Sequence, residues 1–117
     1  MIGQPVAFDK AEMMENFAGD DELFAEVAAI FIEDAPPQLA ALQAALDSGD
    51  LAALHAAAHK LKGSLASFAA KPACAAAKTL EDACKVGDAG NAASLAAAVR
   101  TETERFVVAL RAELGSR

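Results

Sequence analysis

The sequence predicts an all-α protein, an antiparallel four-helix bundle preceded by one or two short N-terminal helices. Alanine, the strongest helix former, occupies 32 of the 117 positions. Residues typical of strands are scarce, since tryptophan and tyrosine are absent and the only aromatic residues are six phenylalanines. The breaks between helical stretches are short, as in helices that pack antiparallel. We therefore expect one domain over residues 1–117, a length that suits a single core.

Two helices are predicted near the N-terminus. Asp9 is a suitable N-cap for a first helix that ends at about Phe17, and Asp20 or Asp21 is suitable for the second. The apolar residues of the second helix recur at helical spacing, at Leu23, Phe24, Val27, Ile30 and Phe31.

A pair of prolines interrupts this pattern at positions 36 and 37. Because the residue before a proline avoids the α region, the second helix should end or kink at Ala35. Pro37 can begin a third helix, whose core stripe is Leu39, Leu42 and Leu46.

The helix that should begin at Leu51 is the most regular of the chain. Gly49 provides a C-terminal turn for the helix before it, and Asp50 is an N-cap. Its predicted core positions alternate in steps of three and four, at Leu51, Leu54, Ala58, Leu61, Leu65 and Phe68.

Two further helices complete the predicted bundle. One begins at Lys71-Pro72, with Ala73, Ala76, Leu80 and Ala83 facing inward. The last runs from about Asn91, with Leu95, Val99, Phe106, Leu110 and Leu114 facing inward.

Composition and charge exclude several classes of function. The net charge is −7, and the first fifty residues carry eleven acidic residues and one lysine. Such a chain is a poor candidate for binding nucleic acid. The sequence contains no stretch of about 18 consecutive apolar residues, so no transmembrane helix is predicted and no membrane role is expected. The N-terminus does not resemble a secretory signal peptide, and the Met1 start favours a free-standing protein.

The two cysteines, Cys74 and Cys84, do not form a disulfide framework. On one helix they would lie about 15 Å apart along its axis, which is too far for a bond between them. No CxxC motif is present, which argues against a zinc ribbon or a thioredoxin-like site. We expect reduced thiols in a cytoplasmic protein.

The helix from Leu51 carries the residues with chemical potential. At about 100° per residue, His59 lies about 130° from the apolar seam and points outward. His55 lies about 90° from the seam, at the boundary of the core, and Lys62 is one turn beyond His59. Gly63 is unusual, because glycine within a helix costs about 1 kcal/mol relative to alanine. It would leave room for a bulky anion such as a phosphoryl group on His59, although a tolerated packing glycine would give the same pattern.

These residues form a known signature. The segment AHKLKGSLASFAA, which contains His59, Lys62, Gly63 and Ser64, resembles the H-x-L-K-G-S motif of histidine-containing phosphotransfer domains. The resemblance extends through GDDELFAEVAAIFIEDAPPQLAALQAALDSGD before the motif and LEDACKVGD after it. These domains are four-helix bundles that carry a phosphoryl group in two-component phosphorelays. One departure is Ala69, where members commonly have glycine.

The resemblance implies roles for individual residues. His59 would be phosphorylated, Lys62 would neutralise phosphoryl charge, Gly63 would give clearance, and Glu81 on the following helix would support the imidazole, with Ser64 completing the motif. Partners would contact an apolar patch around His59, which we expect to consist of Ala52, Ala56, Ala66 and, on the second helix, Ile32.

The implied activity is that of a phosphocarrier. His59 would exchange a phosphoryl group with the aspartates of response-regulator receiver domains or with a sensor or hybrid histidine kinase. We expect a cytoplasmic monomer without a cofactor of its own, with Mg²⁺ bound by the receiver, since no acidic cluster accompanies His59. No GxxxxGK[ST] loop is present, and no autonomous kinase activity is expected.

Two other classes of function remain open at this point. His55 and His59 are four residues apart and could ligate a metal, although Lys62 would repel a cation there. Alternatively, the bundle could be an adaptor that binds receiver domains without carrying phosphate.

Overall fold

Five helices make up the described part of the chain, residues 6–116 of a computed structural model. They are α1 (Lys10–Asn16), α2 (Asp21–Ser48), α3 (Leu51–Ser67), α4 (Lys71–Lys85) and α5 (Ala92–Gly115). No strand occurs within residues 6–116. The Met1 start and both ends of the predicted 1–117 domain lie outside the described residues.

The four long helices form a ring in which each packs against two others. The helix α2 contacts α3 and α5, and α4 contacts the same two helices. The predicted four-helix bundle is therefore confirmed, with α1 as its short N-terminal helix. The backbone N–H of Asp9 donates to the carbonyl of Ala69 at 2.9 Å, and the side-chain amide of Asn16 donates to the carbonyl of Ser67 at 3.2 Å. These bonds fasten α1 to the connection between α3 and α4.

Three aspartates cap the N-termini of α1, α2 and α3, as the sequence predicts. The carboxylates of Asp9, Asp20 and Asp50 each accept a hydrogen bond from the backbone N–H three residues later, at 3.1, 3.0 and 3.0 Å. Each bond satisfies a donor that the first turn of a helix leaves without a partner. Gly49 ends α2 with a positive φ of 69°, a conformation that glycine adopts without a steric penalty.

The prediction of a separate third helix that begins at Pro37 is wrong, because α2 does not end at the prolines. The helix runs without interruption through Pro36 and Pro37, and both rings are exposed, so water can reach the carbonyls that lose their helical donors. Its buried residues keep one helical phase on both sides of the prolines, at Phe24, Ala28, Phe31, Ala35, Leu42 and Ala45. Burial of this continuous stripe outweighs the local cost of the prolines.

All six phenylalanines lie in one network of ring contacts. Phe68, directly after α3, is 1% exposed, and its ring contacts four others, of Phe17, Phe24, Phe31 and Phe106, at centroid distances of 5.4–6.4 Å. Phe8 joins the network through Phe106 at 5.9 Å. Edge-to-face and tilted contacts of this kind stabilise a core beyond the burial of their area. The network joins α1, α2 and α5 to the end of α3.

Several predicted core positions are wrong. Leu23 and Ile30 are 43% and 56% exposed, although α2 buries the phenylalanines beside them. In α4 the buried positions include Ala77 and Cys84, whereas the predicted Ala76 and Ala83 are half-buried. Alanine occurs on several faces of α4 and therefore says little about which one faces the core. The predicted seam of α3 is confirmed, since Leu54, Ala58, Leu61, Leu65 and Phe68 are buried and only Leu51 is partly exposed.

Both cysteines are free thiols, with Cys84 buried and Cys74 half-buried. Burial raises the pKa of the Cys84 thiol. Among residues 6–116, no helix combines the length and the apolar character that crossing a bilayer requires.

Candidate functional site around His59

His59 lies on the outer face of α3, opposite the buried seam of that helix. Its side chain is 66% exposed, in agreement with the predicted outward direction. The inner face of α3 packs into the core through Leu54, Ala58, Leu61 and Leu65. The imidazole is therefore held by a rigid and well-packed helix while most of the ring remains open to a partner.

Glu81 reaches the imidazole from α4. Its carboxylate Oε2 lies 2.7 Å from Nδ1 of His59. Only 11% of the Glu81 side chain is exposed, because α4 turns this residue towards α3. The structure thus places Glu81, which was predicted to support the imidazole, in contact with His59, which was predicted to be phosphorylated.

Lys62 contacts the other oxygen of the same carboxylate. Its Nζ lies 2.6 Å from Oε1 of Glu81, and the lysine side chain is 27% exposed. The hydrogen bond from Lys62, together with the contact from His59, lowers the pKa of Glu81 to about 2 despite the opposing effect of burial. The same contact raises the pKa of Lys62. Glu81 is therefore ionised at neutral pH and can only accept hydrogen bonds.

His55, predicted at the boundary of the core, is 38% exposed and also faces Glu81. Its Nε2 lies 3.6 Å from Oε2, the oxygen that contacts His59. The two imidazoles are parallel within 4°, with centroids 6.4 Å apart. The approach of His55 to Glu81 was not predicted from the sequence, because it depends on how α3 and α4 pack against each other.

Small residues surround His59 on the surface of α3. Gly63, Ala52, Ala56 and Ala66 are all exposed there. A Cβ placed on Gly63 would meet nothing within 4 Å. The fold of this chain therefore does not require glycine at position 63, although glycine costs stability within a helix.

Two of the predicted residues lie away from the imidazole. The hydroxyl of Ser64 donates to the carbonyl of Lys60 on its own helix at 3.4 Å. Ile32 is half-buried in the groove between α2 and α5, which Leu39 and Val107 also line. An exposed apolar side chain that α2 presents towards α3 is Ile30, in a groove lined also by Ser64. Sequence reasoning missed Ile30 because it assigned this residue to the core.

No group of three or more histidine, cysteine, aspartate or glutamate side chains within residues 6–116 could hold a metal ion. The two histidines and Glu81 share their site with the ammonium of Lys62. A cation there would face this charge at short range. The geometry therefore does not favour the metal-binding alternative.

A four-helix bundle with one exposed histidine, anchored from the neighbouring helix, has the architecture of a phosphotransfer domain. The family model for the Hpt domain matches residues 26–114, which include His59 and Glu81. The chain therefore belongs to the Hpt domain family, and it is a histidine phosphotransfer protein of phosphorelay signalling. Members of this family are phosphocarriers rather than kinases, and they exchange phosphoryl groups with receiver domains and kinases.

The fold also matches a particular solved structure, histidine-containing phosphotransfer protein B from Pseudomonas aeruginosa PAO1. The TM-score is 0.89, the sequences are 22% identical, and the match covers 97% of this chain and 99% of the other. At this identity the similarity establishes the fold. No curated protein sequence matches the chain.

Proposed function

We propose that Nε2 of His59 accepts and donates the phosphoryl group. The observation that carries this proposal is the 2.7 Å contact between Nδ1 of His59 and Oε2 of Glu81. Because the ionised carboxylate cannot donate, Nδ1 carries the hydrogen, and the lone pair of the neutral ring lies on Nε2. The nucleophilic nitrogen is therefore the one that Glu81 leaves free.

The reaction is an in-line displacement at phosphorus. Nε2 attacks the acyl phosphate on a receiver aspartate, the N–P bond forms, and the P–O bond to the aspartate breaks with release of its carboxylate. The ring becomes cationic as the N–P bond forms, and Glu81 stabilises that charge through the hydrogen on Nδ1, as the aspartate of a serine protease does for its histidine. In the reverse step a receiver carboxylate attacks phosphorus and Nε2 leaves with its lone pair.

Lys62 and Gly63 serve the phosphoryl group in different ways. Lys62 keeps Glu81 ionised through its 2.6 Å contact and places a positive charge one helical turn from His59. Gly63 provides space for the phosphoryl oxygens and for the backbone of the receiver. The structure of this chain supports this use, because Gly63 is exposed and a side chain at this position would meet no other atom of the chain within 4 Å.

The receiver-binding surface includes three exposed alanines that the sequence also predicts there, Ala52, Ala56 and Ala66. We extend it to Ile30 on α2, in place of Ile32, because Ile30 is 56% exposed beside α3. The proposal also assigns Mg²⁺ and the acyl phosphate to the receiver, with no autonomous kinase activity and no cofactor in this chain. We place the exchange in the cytoplasm, with the protein acting as a monomer that does not bind nucleic acid.

The test is phosphoryl transfer from a phosphorylated receiver domain. The wild-type chain should acquire phosphate that is stable in alkali and labile in acid, and His59→Gln should abolish this label. A label that persists in His59→Gln would exclude His59 as the acceptor.

His55→Gln is the matched control, because it removes the other histidine from the same helix. This variant should still acquire the acid-labile label at neutral pH. Circular dichroism of both variants checks that the helices remain folded. If the label were lost from His55→Gln but kept by His59→Gln, the phosphate would be on His55, which would contradict the proposal.

A further inference from the structure

The groove between α2 and α5 is apolar along its floor. Ile32 and Pro36 line it from α2, and Val107 and Val108 line it from α5. Val108 is 69% exposed, and the ring of Pro36 is exposed as well. Exposed apolar side chains that lie together in a groove are typical of a surface that another molecule covers.

Two arginines of α5 lie along this groove. Arg100 and Arg111 are eleven residues apart, which places them on one face of the helix and about 16 Å apart along its axis. Arg100 donates to the side-chain oxygen of Gln43 at 2.7 Å and keeps further N–H donors. Arg111 is exposed and forms an ion pair with no acidic side chain of residues 6–116. Glu104 lies between the two arginines, so the groove carries two guanidinium groups and one carboxylate.

Pro36 gives the groove a backbone acceptor. Because proline has no N–H, the carbonyl of Ile32 lacks the donor that the residue four positions later supplies in a regular helix. The exposed ring of Pro36 adds little to the core, although an interior proline weakens a helix. A residue that breaks a local rule without a gain in packing is typical of a functional position.

We propose that this groove binds an amphipathic helix of a partner protein, whose apolar stripe covers Pro36 and Val108 and whose acidic side chains pair with Arg100 and Arg111. A third helix fits between two packed helices, and the arginines are three helical turns apart, a spacing that side chains on one face of such a helix match. The net charge of −7 does not attract an acidic partner from a distance. The attraction is therefore local, between the two guanidinium groups and the carboxylates that face them.

The proposal goes beyond the phosphoryl transfer assigned to His59. His59 and Glu81 lie on α3 and α4, and in the ring of four helices the contact between α2 and α5 is opposite the contact between α3 and α4. A helix bound in the groove therefore leaves the imidazole open. The partner can remain bound while a receiver exchanges phosphate with His59.

The first experiment measures the binding of a synthetic helical peptide of about 18 residues, a length that can form a helix in water. The peptide carries leucines at helical spacing and two glutamates eleven positions apart, and the matched control peptide has lysines in place of the glutamates. Fluorescence anisotropy should show that the acidic peptide binds at least about tenfold more tightly than the lysine peptide. Amide NMR shifts caused by the acidic peptide should centre on Val108 and Arg111. Equal affinity for the two peptides, or shifts centred on α3 and α4, would overturn the proposal.

Variants of exposed residues test the two kinds of contact separately. Arg111→Glu should weaken the acidic peptide about tenfold and strengthen the lysine peptide, because it reverses one charge of the groove. Val108→Asp should abolish binding of the acidic peptide, since it places a charge against the apolar stripe. Arg105→Gln is the matched control, because Arg105 pairs with Glu102 on its own helix, and it should leave the affinity unchanged. Wild-type affinity in Val108→Asp or Arg111→Glu would contradict the assignment.

Two further measurements identify other occupants of the groove. The chain alone should sediment as a monomer, and a dimer that Val108→Asp dissociates would assign the groove to a second copy of this chain and overturn the proposal. Transfer from a phosphorylated receiver to His59 should proceed at the same rate when the acidic peptide saturates the groove. A loss of transfer that Val108→Asp relieves would show that the receiver itself occupies the groove, which would also overturn the proposal.

Discussion

Phe68 and Glu81 each contact several side chains, but the contacts of Phe68 are apolar and buried, whereas those of Glu81 are ionic and close to the surface. Phe68 lies at the end of α3, is 1% exposed and contacts four other phenylalanine rings. Glu81 lies in the C-terminal half of α4, and its carboxylate contacts His59, His55 and Lys62. The first group is apolar and joins four helical elements, whereas the second is ionic and opens to the surface.

The two groups of contacts should therefore affect different properties of the protein, its stability and its phosphoryl transfer. Burial of large aromatic rings is a principal source of stability in a small domain. Partly exposed ion pairs contribute little to stability, because solvent screens the charges. The Phe68 group should therefore hold α3 in place, and the Glu81 group should control what His59 does there.

Phe68→Ala should have the largest effect. It removes a fully buried ring from the centre of the network and should lower the free energy of unfolding by about 3–5 kcal/mol. Urea denaturation followed by circular dichroism measures this loss. Phosphoryl transfer per folded molecule should remain close to wild type, and a specific loss of transfer would show that the two groups are not separable. Phe68→Leu, which leaves a smaller cavity, keeps the test possible if the alanine variant does not fold.

Glu81→Met should reverse this pattern. Methionine has a similar length but cannot accept the hydrogen of Nδ1, so transfer should slow about 10- to 100-fold through loss of tautomer and orientation. Glu81→Gln retains an acceptor oxygen and should lose much less. Single-turnover transfer from a phosphorylated receiver distinguishes the two variants. Equal rates in Glu81→Met and wild type would exclude a role for the carboxylate in positioning His59.

Gly63→Ala should improve stability and impair transfer. The added Cβ meets nothing within 4 Å, so the helix should gain about 1 kcal/mol while the space beside His59 shrinks. Ala97→Gly, at an exposed position of α5, is the converse change and should cost a similar amount without affecting transfer. Thermal denaturation and transfer rates measure both effects. Gly63→Ala with wild-type transfer would refute the clearance that we assign to this residue.

The pH dependence of stability tests the Glu81 carboxylate by itself. The folded state lowers its pKa from 4.5 to about 2, so its stabilising contribution is complete above pH 4.5 and is lost as the pH falls towards 2. Glu81→Gln cannot titrate and should lose less stability over this interval. Urea midpoints measured from pH 5 to pH 2 compare the two slopes. Parallel slopes would mean that Glu81 titrates alike in the folded and unfolded chain.

The sequence predicts most of the backbone and the direction of His59. Aspartate before a helical stretch supplies a specific acceptor for the N-terminal amides, and the caps at Asp9, Asp20 and Asp50 are therefore placed correctly. The leucines of α3 define one inward face and leave His59 opposite to it. Both signals are local, since they depend on residues within two turns of one another.

The errors arise where local signals are weak or tertiary packing prevails. The continuity of α2 depends on the phase of Ala28 and Ala35, small residues that a search for large apolar side chains overlooks. The same ambiguity of alanine misplaced two of the four predicted inward positions of α4, at Ala76 and Ala83, and the approach of His55 to Glu81 depends on the packing of α4 against α3. Ile32 was assigned to the His59 surface because the sequence does not show which flank of α2 faces α5.

The most direct measurement is the position of phosphorus on the His59 ring. The chain, labelled with ¹⁵N at histidine and phosphorylated by a receiver domain, can be examined by NMR for coupling between phosphorus and each ring nitrogen. Because Glu81 holds Nδ1 at 2.7 Å, we expect phosphorus to be bonded to Nε2. A phosphoryl group on Nδ1 would contradict it, because that nitrogen could not be anchored to Glu81 and reactive at the same time.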